Sequence, residues 1–137
     1  MKWEHPERTL KNLVGVHPDL IRVVNRARTL SPIPFVVICG LRTLAQQRVL
    51  FKAGASKTMN SRHLTGHAVD VCPTVDIDRD GKVETTEMFS WPLTVEVSKY
   101  FKQAAAIERV LIEWGGDWKN FPDGPHWQLP RRTYPTK

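Results

Sequence analysis

The sequence predicts an α+β fold, a small, mostly antiparallel sheet flanked by helices. Helical and strand-like periodicities mix without the regular alternation of a βαβ chain, and the strand-like runs are short. The chain has 137 residues, close to the roughly 150 that serve as a prior for one domain. Residues 1–137 are therefore expected to form a single domain with no appended binding module. The composition is 41% hydrophobic with 5 Trp and 5 Phe, enough apolar material to close a core without staples.

Pro18 suits a first helical turn, and Leu20, Val23, Val24, Ala27 and Leu30 recur at helical spacing until Ser31-Pro32 stops them. Arg22, Arg26 and Arg28 form the solvated face of that helix. Phe35-Val36-Val37-Ile38-Cys39, closed by Gly40, reads as a buried strand. Thr43 followed by Gln46 makes a capping box for a helix running to about Ala53, with Gly54 as its stop. Residues 55–65 are polar and loop-like. His67 to Cys72 is a second strand that Pro73 ends, and an acidic, turn-rich stretch follows from Asp76 to Glu87. Ser90 caps a long helix whose buried stripe is Leu93, Val97, Tyr100, Phe101 and Ala104. Val110-Leu111-Ile112 is a third strand, Gly115-Gly116-Asp117 a turn, and His126 to Leu129 a fourth strand before a basic tail.

Twenty Lys and Arg against 14 Asp and Glu give a net charge of +6, which suits a polyanionic partner such as nucleic acid, an acidic membrane face or an acidic wall polymer. No recognisable nucleic-acid motif accompanies that charge. The longest strongly apolar stretch, Phe35 to Cys39, is far shorter than the roughly 20 residues of a membrane span. Met1 to Glu7 carries no apolar core of a secretory signal, so a product made in the cytosol or exported by some other route is expected. Cys39 and Cys72 show neither C-x-x-C nor zinc-finger spacing and read as buried free thiols.

The chemistry concentrates in Ser61-Arg62-His63-Leu64-Thr65-Gly66-His67-Ala68-Val69-Asp70. Gly66 and the strand-like run after it suggest a turn leading into a strand, across which His63 and Asp70 converge. An imidazole and a carboxylate are ordinary zinc ligands, and a hydrolytic site needs a third ligand with a fourth position left for water. His5, His17, His67 and His126 are the candidates. His5 lies beside Pro6 at the terminus, and His17 flanks a helix start. His67 is four residues from His63, but an H-x-x-x-H pair needs a helix across Gly66 and gives Asp70 no role. His126 follows Asp123 by three residues, which offers a ligand and a nearby general base.

Ser61-x-His63-x-x-Gly66-x-Ala68-x-Asp70 together with Asp123-x-x-His126 resembles the zinc peptidases of the D-Ala-D-Ala carboxypeptidase and dipeptidase group, whose fold is shared with the zinc-bearing domain of Hedgehog proteins. Gly40 to Gln47, Trp114 to Trp118 and Gly124 to Pro130 are similar to the branch that contains phage L-alanyl-D-glutamate endopeptidases, so the resemblance spans roughly residues 13 to 130. It implies a Hedgehog/DD-peptidase-like fold, with His63, Asp70 and His126 as zinc ligands and Asp123 as the base that takes a proton from the attacking water. Arg42 would steady the scissile carbonyl or a substrate carboxylate. Many relatives carry Glu where this chain has Asp123, and Glu113 is the runner-up base. Ser61 would orient the neighbourhood of His63, while Trp118 and Trp127 flank the site and are candidates for lining a substrate groove.

The function this implies is a peptidoglycan-degrading zinc endopeptidase, a phage endolysin cleaving the L-Ala-D-Glu bond of the stem peptide. A D,D-carboxypeptidase or dipeptidase and a non-catalytic zinc-stabilised binding domain are the alternatives. A monomer is expected, held in the host cytoplasm until a separate pore-forming protein lets it reach the wall, and the lack of a binding module leans toward Gram-negative hosts. A second cation enters from another pattern. Asp76, Asp78, Asp80 and Glu87 occupy the acidic places of an EF-hand calcium loop, with Gly81 at its turn, Lys82 offering a carbonyl and Glu84 able to act through water. A strand and Pro73 precede it where an EF-hand has a helix, and a solvated acidic loop is the competing reading.

Overall fold

The computed structural model describes residues 6–56, 58–75, 79, 81 and 88–135. Helix α1 spans Pro6–Asn12, α2 Pro18–Leu30, α3 Leu44–Lys52 and α4 Trp91–Glu108, and the strands are β1 Phe35–Cys39, β2 Ala68–Pro73, β3 Glu113–Trp114 and β4 His126–Gln128. All paired strands are antiparallel, in the order β1-β2-β4-β3. The α+β class expected from the sequence is the one observed.

Local chemistry explains most boundaries. The α3 capping box forms as expected, with Thr43 Oγ1 accepting from Gln46 N and Gln46 Oε1 accepting from Thr43 N. Helix α2 buries Leu20, Val23, Val24 and Ala27 against α4, whose Phe101 packs on Phe35 of β1 and Trp127 of β4. The long helix begins after its Ser90 cap, and Thr94, Ser98 and Ala105 join Val97, Phe101 and Ala104 on its buried side.

Two differences from the sequence reading matter. Helix α1 was not expected, because Thr9 is its buried residue and its apolar Leu10 is exposed, so no apolar stripe marks it. Its role is polar: Thr9 Oγ1 accepts from Val37 N at 3.1 Å and Asn12 Nδ2 donates to Val37 O at 2.8 Å. Those bonds satisfy the outer edge of β1, beyond which no strand lies among the described residues. The third strand lies at Glu113–Trp114 rather than Val110-Leu111-Ile112. Arg109 adopts a left-handed conformation at φ 57°, and Val110 N closes the helix onto Ala105 O at 2.9 Å. Val110 is thereby tied to the helix end and buried in the core, and pairing begins only at Glu113.

Candidate metal and peptidase site

Asp70 sits in the middle of β2, between Val69 and Val71 of the core, so the strand's alternation turns its carboxylate to the opposite face. Its register partner on β4 is His126, whose Nδ1 stands 3.3 Å from Asp70 Oδ1. The same alternation sends Trp127 inward, stacked between Trp114 and Phe101, so Trp127 is a core residue and not a groove wall. Trp118 does line the groove, its ring 5.1 Å from that of His126.

His63 arrives from a short 3-10 turn over Arg62–Thr65, capped by Ser61 Oγ accepting from His63 N at 3.2 Å. Gly66 then reverses the chain at φ 75°, and a Cβ there would run into Gly15 O, so both conformation and space require glycine. The reversal brings His63 Nε2 to 3.2 Å from Asp70 Oδ1. The sequence-predicted trio His63, Asp70 and His126 therefore meets at one carboxylate oxygen.

The outer nitrogens of both rings are held. His63 Nδ1 donates to Gly40 O at 2.8 Å, and His126 Nε2 donates to Gln128 Oε1 at 2.8 Å. With both imidazoles neutral, this leaves the lone pairs of His63 Nε2 and His126 Nδ1 facing Asp70 Oδ1, three acceptors that only a proton or a bound cation can bridge. His63 Nε2 and Asp70 Oδ1 are indeed buried without a hydrogen-bond partner. A bound cation satisfies such a set, and two nitrogens with one carboxylate are the donor types that zinc takes. The electrostatics agree in direction. Burial opposes charge on His63, but the contacts with Asp70 and Cys39 outweigh it and raise its pKa to about 10. Burial likewise opposes an ionised Asp70, and the close imidazoles of His126 and His63 overcome it, holding the carboxyl well below the usual range. The cleft thus attracts positive charge, and a proton competes with a metal for it.

Asp123 stands at the solvent side of the groove, and its carboxylate comes within 4.8 Å of ligand atoms on Asp70 and His126. Crowding by the groove wall first, and the charge of Asp70 second, keep its pKa above the ordinary carboxylate range. Such a group is suited to accepting a proton. Arg42 reaches the same carboxylate from the other side, with Nη2 at 3.6 Å from Asp70 Oδ2 and Nη1 donating to Gln47 Oε1 at 2.7 Å.

Some expectations do not converge here. His67 Nδ1 lies 2.7 Å from Thr65 Oγ1, and its ring packs beside His17 and Tyr134, so no H-x-x-x-H pair forms. His17 caps α2 by accepting from Asp19 N. Glu113 is exposed on β3 and borders a separate depression beside Lys102 and Trp114. His5 and the calcium-loop residues Asp76, Asp78, Asp80, Lys82, Glu84 and Glu87 lie outside the described residues. Sequence reasoning missed three neighbours. Cys39, half-buried, places its sulfur 3.8 Å from His63 Nδ1 and 3.4 Å from Arg42 Nη2, and shares a potential ligand cluster with His63 and Asp70. Gln47 is fully buried and anchors Arg42, while Gln128 holds His126. A two-residue step along β4 could have pointed to Gln128; nothing local distinguished Gln47.

The family model described as phage L-alanyl-D-glutamate peptidase matches residues 1–133. The chain belongs to that family. Among its relatives, the L-alanyl-D-glutamate peptidase of Escherichia phage T5 is 31% identical over 98% of this chain and 94% of its own length. The peptidoglycan L-alanyl-D-glutamate endopeptidase CwlK of Bacillus subtilis is 29% identical over 71% of this chain and 61% of its own. The crystal structure of the Serratia marcescens L-Ala D-Glu endopeptidase ChiX superposes with a TM-score of 0.83 at 43% identity, covering 94% of this chain and 91% of that one. The family fold expected from the motifs is therefore the fold this chain adopts.

Proposed function

We propose that this protein is a zinc-dependent endopeptidase that hydrolyses the L-alanyl–D-glutamyl bond of the peptidoglycan stem peptide. The observation that carries the reading is the meeting of three potential ligand atoms, His63 Nε2, Asp70 Oδ1 and His126 Nδ1, in a buried spot where a proton and a metal cation compete. These residues would hold the zinc, which when bound supplies Lewis acidity toward water and the scissile carbonyl. The rest of the chemistry belongs to the chain. Asp123, with its raised affinity for a proton, accepts one from the attacking water and returns it to the leaving amine. Arg42 offers its guanidinium to the carbonyl oxygen or a substrate carboxylate as charge develops. Gly40 O and Gln128 keep the two imidazoles in the tautomers whose lone pairs face Asp70. The open groove, about 910 Å³ in volume, admits an extended peptide past Trp118 and Phe121.

The phage relatives support an endolysin role; a monomeric single domain that reaches the wall through a separate pore-forming protein completes the proposal. Among the described residues no helix is long and apolar enough to cross a membrane. For the acidic stretch Asp76 to Glu87 the sequence pattern supports a calcium loop steadying the segment after Asp70. Mass spectrometry of a muropeptide digest tests the activity. Fragments ending at L-Ala with a new D-Glu amine are expected; release of D-Ala would transfer the protein to the D,D-peptidase class, and intact muropeptides with zinc bound would leave a binding domain.

A further inference from the structure

Arg131 at the groove edge and Arg62 buried behind the groove wall carry two guanidinium groups that, among the described residues, have no counter-charge. Arg62 is 2% exposed, and its Nε and Nη2 donate to Leu129 O at 3.2 and 2.9 Å, with Nη2 also donating to Tyr134 O at 2.9 Å. Its Nη1 is buried with no partner. Arg131 is exposed at the groove edge and donates from Nη2 to Asn60 O at 2.5 Å. Every acceptor in this set is an uncharged carbonyl. Among the described residues, neither guanidinium has a carboxylate within ion-pair distance. Burial first, and the Arg131 charge second, hold the Arg62 pKa below the ordinary value, with Glu113 the one acidic influence opposing them. A buried cation without an anion is costly, and two like charges sharing a wall add to that cost.

We propose that Arg131, backed by the fixed charge of Arg62, receives the free carboxylate of the substrate's D-glutamyl residue. The assignment rests on the endopeptidase reading above. Glutamate has two carboxyl groups and a peptide continues through only one, so the residue on the leaving side of the scissile bond keeps a charged handle. Arg42, held by Asp70 and Gln47 beside the reacting centre, is placed for the scissile carbonyl, which leaves the glutamyl carboxylate to another cation. Arg62 is too deeply buried for ligand contact; its bonds to Leu129 O and Tyr134 O tie down the segment that carries Arg131, and its charge adds a positive field from a region of low dielectric. Arg131 is the reachable member, with Thr58 and Asn60 lining the groove nearby. A guanidinium–carboxylate hydrogen bond is stronger than a neutral one and would select an acid over its amide.

Two synthetic stem peptides, identical except for a free or amidated glutamyl carboxylate, separate the possibilities when cleaved by the zinc-loaded parent, Arg131→Gln and Arg131→Lys. The parent is expected to favour the acid by roughly 10–100-fold in kcat/KM, mostly through KM. Arg131→Gln should lose that preference by falling on the acid peptide alone, and Arg131→Lys should recover part of it, with zinc content and melting temperature unchanged. Equal losses on both peptides, or an unaltered preference in Arg131→Gln, overturn the assignment. Cleavage of neither peptide by the parent overturns the endopeptidase reading itself, and this one with it.

Discussion

Replacing Gln128 with Leu exchanges the carboxamide for methyl groups of similar bulk, and the oxygen lost is the acceptor that fixes His126. In the folded protein Gln128 Oε1 takes the Nε2 proton at 2.8 Å, so Nδ1 must carry the lone pair that faces Asp70. Without that acceptor the buried Nε2–H is unsatisfied, and the opposite tautomer, with the proton on Nδ1 aimed at Asp70, becomes competitive. Loss of such a partner costs about 10–100-fold in metal affinity, or roughly 1.4–2.7 kcal/mol. For a chain of this size each kcal/mol shifts the melting temperature by about 4 °C, so the stabilisation gained on adding zinc should shrink by about 5–10 °C. Zinc competition titrations and thermal melts with and without metal measure both numbers on the same samples. Gln128→Glu, which retains an acceptor, should keep or strengthen zinc binding. A Gln128→Leu protein with parental zinc affinity, or one whose metal-free form is destabilised as much as its zinc form, refutes the idea that Gln128 works through His126.

Asp123→Asn should retain zinc yet lose about 10²–10⁴-fold in kcat, the usual worth of a general base; near-parental turnover moves the base elsewhere. In chelator-treated protein the pair His63 and Asp70 sets a pH window for stability. The raised His63 pKa contributes fully below its ordinary 6.5 and is lost as pH climbs toward about 10, whereas the depressed Asp70 pKa contributes above its ordinary 3.8 and is lost on acidification. Urea melts of the metal-free protein should therefore show the pair's contribution greatest between those ordinary values, and zinc affinity should rise as pH rises because His63 releases its proton; an affinity independent of pH between 6 and 9 contradicts this. Calorimetry at millimolar calcium should register binding that Asp78→Ala removes, and an equal, flat response from both proteins leaves the acidic loop merely solvated.

Elements built from short-range repetition were legible in the sequence. The 3.6-residue rhythm of Leu20, Val23, Val24 and Ala27 and the β-branched run of β1 specify their own conformations, and Thr43 with Gln46 specifies a helix start by local hydrogen bonding. Residue types and the turn at Gly66 likewise nominated His63 and Asp70, with His126 and Asp123 as a candidate ligand and base, and the family resemblance chose His126 and added Arg42. Features that depend on partners distant in sequence were hidden. Helix α1 exists because Thr9 and Asn12 complete the edge of a strand some 25–28 residues away, and Trp127 faces the core because β4 pairs with β2 in the register that aims His126 at Asp70. Gly40 O on His63, Gln47 on Arg42, the thiol of Cys39 and the unpaired Arg62 beside Arg131 belong to the same class. Sequence pattern determines which groups a chain carries and how each short segment curls. Which acceptor ends up facing another acceptor, with the protons turned outward and room for a cation between them, is decided only when the strands take their register.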